Sequence, residues 1–351
     1  MNLASRPHAR VAQVRTVALR SGAGLCVGGV LSLAFLRLVN VSAIYRRIEH
    51  LSITLALLAG VAFLAAYVVR ALRWRCLLRP VGEVTVGRVV AIYQVATFLN
   101  WLLPVRGGEL VKCLLLRRSD GIPVSRSLAT VGMDKAMDLL PAVALIVVLP
   151  FAGIHMSRAL WVLLLSALGA VTLLLALLAL AAYRRDRALR LICAPLAAVL
   201  PARARSRIEP AVVQFVDTLL ALIRQPGLLA RAAGYTVLAV GLDALFCLLA
   251  FRAVGVPMAL PVVLYGYTLY NLAFILPTPP GQVGSNELIG LLIFSGLFGV
   301  SRSGVGAMFL FSHPWTALLM TCSGLLCLST MGLTLRGTIR LARVQEEVEE
   351  A

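Results

Sequence analysis

Apolar residues run unbroken through most of this chain. Continuous stretches cover residues 22–39, 51–69, 128–151, 160–183, 232–254 and 304–335. A helix needs about 20 apolar residues to cross the hydrocarbon of a bilayer. The runs are rich in Leu and Ala and lack strict alternation, which predicts spanning helices rather than barrel strands. The last is long and is expected to tilt or kink near Pro314. Two further apolar stretches, 89–116 and 260–300, break in the middle at Pro and Gly. Residues 208–223 differ: Ile208, Val212, Phe215, Val216, Leu219 and Ile223 form one helical stripe, with Gln214, Asp217 and Arg224 elsewhere. That spacing predicts an amphipathic helix over about 207–224, either along the cytoplasmic interface or packed under the bundle.

Composition supports this pattern. Of 351 residues, 60% are hydrophobic and 14% charged, more apolar surface than a soluble domain of this size can bury. The net charge is +18, from 33 Lys and Arg against 15 Asp and Glu. The basic residues are scattered among the spans, so they set orientation and meet anionic headgroups, and no nucleic-acid partner is expected. With the N-terminus in the cytoplasm, Arg70, Arg73, Arg75, Lys112, Arg117, Arg118, Arg126 and the basic residues of 184–207 and 336–343 fall inside. Arg46, Arg47, Arg158, Arg252 and Arg302 fall outside. This sorting requires the two broken stretches to enter and leave on one side each. Residues 1–20 then form a basic cytoplasmic N-terminus, with a retained signal anchor as the first span. Residues 21–335 form one transmembrane domain, and 336–351 a charged cytoplasmic tail. The seven cysteines form no CxxC pair and read as small apolar fillers, and no metal or cofactor is expected.

The broken stretches resemble each other over about 89–127 and 260–303. Each runs Asn (Asn100; Asn271), Leu-Pro (Leu103-Pro104; Leu276-Pro277), a Gly-rich break, Glu-Leu (Glu109-Leu110; Glu287-Leu288), then Gly and Val-Ser-Arg-Ser. The breaks contain Pro104, Gly107 and Gly108 in the first, and Pro277, Pro280, Gly281 and Gly284 in the second. In the orientation above, three full spans separate them, which inverts one relative to the other. Inverted repeats with broken helices form a transporter architecture with substrate near the midplane. Backbone groups freed at such breaks must be buried in protein or line a wet cavity, and half-helix N-termini attract anions. The alternative is a pair of structural kinks.

Ionisable residues at membrane depth are costly, so a role is their default reading. Arg106 follows the first break and is the leading candidate to grip a lipid phosphate, since its fork matches phosphate oxygens. Arg70 and Arg73, which with Trp74 and Arg75 form a basic-aromatic end to the second span, are further phosphate candidates or interface anchors. Glu109 and Glu287 are proton carriers, gating partners or helix N-terminal charges. Asp134, Lys135 and Asp138 open the third span, with the two aspartates one helical turn apart and suited to pair with Arg106 or with Arg70 and Arg73. Asp243 lies deep in the fifth span with no sequence-local partner. His155 and His313 make no metal or triad pattern and are assigned no chemistry.

At these residues the chain resembles the flippase-like membrane region of lysylphosphatidylglycerol synthases. The carriers are Leu103–Leu110, Asp134-Lys135-x-x-Asp138, and Pro-x-x-Pro-Gly-x-x-Gly-x-x-Glu over Pro277–Glu287. The resemblance covers about residues 20–340; stand-alone relatives are associated with hopanoid and glycolipid pathways. It implies a multi-pass bacterial inner (plasma) membrane protein that handles lipids, with Arg106, Glu109, Asp138 and Glu287 at the working core. Full-length synthases add a soluble domain that transfers lysine from charged tRNA. About 16 residues follow Leu335 here, so that transfer is expected to be absent. Lys135 departs from the arginine expected of the family at that position.

The expected fold is all-α: a polytopic membrane bundle of about six full spans plus two re-entrant broken-helix hairpins in inverted repeat. The expected function is non-enzymatic movement of an anionic phospho- or glycolipid through a basic cavity between the hairpins. Two alternatives stand: a non-catalytic accessory subunit partnered by lipid-biosynthesis enzymes, and a membrane-embedded headgroup transferase. No nucleotide loop or Ser-His-Asp arrangement supports the last. The sequence leaves lipid identity and oligomeric state open.

Overall fold

A computed structural model describes residues 26–102, 107–148, 202–273 and 278–335, with isolated positions elsewhere. All regular structure among the described residues is helical. In chain order the helices are α1 (Cys26–Leu38), α2 (Val41–Glu49), α3 (Ile53–Leu78), α4 (Val86–Leu102), α5 (Gly108–Asp120), α6 (Val124–Val148), α7 (Ala202–Ile223), α8 (Pro226–Ala253), α9 (Leu260–Ala273), α10 (Ser285–Gly290) and α11 (Arg302–Thr330). A 3-10 turn (Pro280–Gln282) precedes α10, and a π turn (Leu291–Ser295) continues it. Three helices, α3, α8 and α11, are long and apolar enough to cross a membrane; the bent pair α1–α2, turning by 89°, adds a fourth if counted as one span. The expected span 160–183 lies outside the described residues.

Two compact units divide the chain. The first holds residues 1–60, 97–107 and 247–321, and the second 61–96, 108–246 and 322–351. In the first, Asn40 follows α1 and caps α2: its side chain accepts from the Ala43 amide and starts α2 in a new direction. Trp315 Nε1 on α11 donates to the Ala56 carbonyl on α3 at 3.0 Å. Phe251, Phe294 and Phe309 form a buried aromatic run. In the second, α6 and α7 pack together over Cys76, Leu77, Met133, Met137, Leu222, Leu228 and Ala232. Trp74 Nε1 donates to Thr130 Oγ1 at 3.1 Å, tying α3 to α6.

Two expected boundaries change, and one open alternative is decided. The second apolar run ends at Val69, and Arg70, Arg73 and Arg75 are expected to follow the span as its basic end; α3 runs on to Leu78 and carries all three. Helical backbone continues past the apolar run because the arginines find partners, described below. The third apolar run begins at residue 128, with Asp134, Lys135 and Asp138 near its start; α6 starts at Val124, which sets all three well inside the helix. Residues 207–224 do form a helix, and Val216, Leu220 and Leu222 are buried, so the packed arrangement holds on that face.

Both broken stretches are interrupted. α4 and α5 flank the first break, and α9 and α10 flank the second. The second is built on positive backbone φ: Gly281 at 63°, Gln282 at 58° and Gly284 at 75°. Gly284 caps α10 and presses on α1; a Cβ there would lie 2.6 Å from the Gly28 carbonyl oxygen and the Ser32 amide. Only glycine fits such a conformation and approach.

Candidate functional site

The second unit contains a network of buried ion pairs built on α3, α5, α6 and α8. Its centre is Arg73, 1% exposed. Its guanidinium spends three nitrogens on three partners: Nε donates to Asp134 Oδ1 at 2.7 Å, Nη2 to Asp138 Oδ1 at 2.6 Å, and Nη1 to Thr236 Oγ1 at 3.1 Å. Asp134 and Asp138 meet it together because helical spacing stacks them on one face of α6. One turn before Arg73 on α3, Arg70 grips Asp243 of α8 through both carboxylate oxygens, with Nη1 to Oδ1 at 3.2 Å. The carboxylate deep in the fifth span thus has its partner on α3.

Lys112 of α5 is the second buried cation, also 1% exposed. Its Nζ lies 2.8 Å from Glu109 Oε2 and 3.9 Å from Asp134 Oδ2. It also sits 3.8 Å from the centroid of the Tyr93 ring and 5.4 Å from that of Trp74, within cation–π range. Glu109, in the first turn of α5 where the helix dipole favours an anion, bridges on to Lys135 of α6 at 3.0 Å. Lys135 returns to Asp138 at 3.6 Å. Four cations (Arg70, Arg73, Lys112, Lys135) and four carboxylates (Glu109, Asp134, Asp138, Asp243) therefore balance. Burial is uneven: side chains of Arg73, Lys112 and Asp134 are at most 2% exposed, Asp138 is 34% and Lys135 is 49% exposed. The network has a sealed end and an open end.

The first unit carries a different arrangement at the second break. Glu287, in the first turn of α10, is buried, and its Oε1 lies 2.6 Å from Nδ1 of His313 on α11. His313 Nε2 lies 2.8 Å from the Gly281 carbonyl oxygen. One histidine thus spans the break, holding its start and the helix that follows it.

The structure joins Arg70 to Asp243, and Arg73 to Asp134 and Asp138. It surrounds Glu109 with two lysines, and Glu287 with a histidine. Gly107 lies in the turn before α5, and buried Gly108 is its first residue. Pro280 opens the 3-10 turn. Arg106, Pro104 and Pro277 lie outside the described residues. Sequence reasoning missed Lys112, which reads as one more loop cation beside Arg117 and Arg118, and Tyr93 and Thr236, which read as ordinary span residues; Trp74, expected at the membrane interface, is instead fully buried. It also missed His313; the one available signal was a histidine inside an apolar span. Among the described residues, no group of three His, Cys, Asp or Glu side chains is placed to hold a metal.

Residues 22–324 match the family described as the lysylphosphatidylglycerol synthase TM region. The chain belongs to that family. Its membership and its long apolar helices make it a multi-pass helical membrane protein with a lipid-related role. No curated protein and no solved structure matches it at a significant level. Within this family member, the motif residues Glu109, Asp134 and Asp138 are members of one ion network.

Proposed function

We propose that this lysylphosphatidylglycerol synthase TM-region protein moves an anionic phospho- or glycolipid between the leaflets of the bacterial inner membrane, with both termini cytoplasmic, and makes or breaks no covalent bond. The observation that carries this reading is the neutral ion network with its graded exposure beside the first helix break. A buried, fully paired network is costly to build and adds little stability over apolar packing, which favours a role beyond folding. Its open end offers Lys135 to an arriving phosphate, which competes with Glu109 and Asp138 for the ammonium. Arg106, three residues before Glu109 in the sequence, is the proposed second phosphate ligand because its planar fork matches phosphate oxygens. The second break supplies the counterpart in an inverted repeat.

One observation favours a second reading, an accessory subunit of a lipid-synthesis pathway. Every cation of the network already has a carboxylate partner. A site whose charges are mutually satisfied binds an anion only by exchange.

Reconstitution decides between them. Purified protein in proteoliposomes, with fluorescent anionic, neutral and glycolipid probes, is expected to move an anionic probe faster than empty liposomes. Arg106→Ala and Lys135→Ala are expected to remove that excess while leaving folding intact, judged by circular dichroism and monodisperse elution. No movement of any probe by folded protein rejects the transport reading in favour of the accessory one.

A further inference from the structure

The His313 contacts carry a proton count. Both ring nitrogens face oxygens: Nδ1 a carboxylate oxygen of Glu287 at 2.6 Å, and Nε2 the Gly281 carbonyl at 2.8 Å. A backbone carbonyl only accepts, and so does an ionised carboxylate. A neutral imidazole has one N–H and satisfies one of the two. Both bonds form together only when the pair holds one proton more than neutral histidine plus carboxylate, either as imidazolium against carboxylate or as imidazole against carboxylic acid. A second observation agrees. Glu287 Oε2 is buried with no hydrogen-bond partner, so among the described residues His313 is the partner of that carboxyl group. A buried carboxylate left with one neutral contact is expensive.

We infer that Gly281, His313 and Glu287 form a proton-binding site that ties the second helix break to α11 when occupied and releases it when empty. The proton sits on the Nδ1–Oε1 axis. Its loss leaves a nitrogen lone pair facing an oxygen, and either the Gly281 end or the Glu287 end of the bridge lets go. Between them Gln282 is held at φ 58°, a conformation that a residue with a side chain rarely adopts. Strain of that kind persists only while the surroundings enforce it. The other titratable and charged groups among the described residues of this unit are Cys26 and Arg37 on α1; Tyr45, Arg46, Arg47, Glu49 and the adjoining His50 on α2; Cys247 and Arg252 on α8; Tyr265, Tyr267 and Tyr270 on α9; and Arg302 on α11. Among the described residues, Glu287 is the charged group that acts on His313.

The test reads no lipid, so it succeeds or fails apart from the transport reading. Hydrogen–deuterium exchange of the full chain in nanodiscs is followed by mass spectrometry from mildly acidic to mildly alkaline pH, with rates corrected for intrinsic exchange. Wild-type peptides covering 281–290 are expected to lose protection by about tenfold as pH rises, the loss of one charge-assisted bond. His313→Gln is expected to be poorly protected at every pH. Glu287→Gln is expected to be well protected at every pH, because its amide donates to Nδ1 while Nε2–H still serves Gly281. Peptides of α6 and α7 report that each variant is folded. A flat wild-type profile, or a pH slope that survives in Glu287→Gln, overturns the proposal.

Discussion

The two breaks share a Glu-Leu motif and treat the glutamate differently. At the first, Glu109 stands between the ammonium groups of Lys112 and Lys135. At the second, Glu287 faces a histidine, the side chain whose charge changes within the physiological range. The first arrangement is a standing electrostatic structure with one end open; the second depends on a proton. Related sequence at two places thus supports two kinds of chemistry, and the partner rather than the motif decides which.

The comparison breaks most severely at Asp134. Asp134→Ala strips Arg73 and Lys112 of a shared buried carboxylate and should cost about 3–5 kcal/mol, the usual penalty for orphaning a buried charge. Thermal unfolding in detergent is expected to show a large drop; a change under about 1 kcal/mol would mean that the network relaxes around the loss. Gly284→Ala comes next. Its Cβ meets backbone atoms of α1 at 2.6 Å and its φ is 75°, so a cost of about 2–4 kcal/mol is expected. Exchange in peptides of the first unit should rise while α6 and α7 stay protected. Glu109→Gln is the smallest, at about 1–2 kcal/mol, since the amide keeps a hydrogen bond to a lysine. Its stability loss should be the same at mildly acidic and mildly alkaline pH. A loss that varies with pH would erase the distinction between the breaks.

Much of this was legible in the chain, for identifiable reasons. Pro and Gly cannot hide in an apolar run, so both breaks could be located. Asp134 and Asp138 announce a shared face by their spacing, and a basic cluster nearby made Arg73 a natural partner. The Arg70–Asp243 pair was illegible as a pair because its members lie 173 positions apart, and nothing local links them. Lys112 was misread because a charge on a short helix between polar neighbours looks like a loop charge; tertiary packing against Tyr93 and Trp74 decides its burial. The α7 stripe was centred differently from the buried face, where Leu220 and Leu222 replace Ile208. Its contact with α6 selects which apolar residues are covered. His313 was silent because its meaning lies in two oxygens brought to it by a break that folds back toward α11.

The long separation of Arg70 from Asp243 also orders events during synthesis. α3 leaves the ribosome carrying two arginines whose acidic partners have not yet been made. An arginine at the centre of a spanning helix costs about 2.5–3.5 kcal/mol on insertion scales. Arg73 gains its aspartates when α6 arrives, but Arg70 waits for α8. The newborn chain therefore carries an arginine without its carboxylate until more than half of it has been translated.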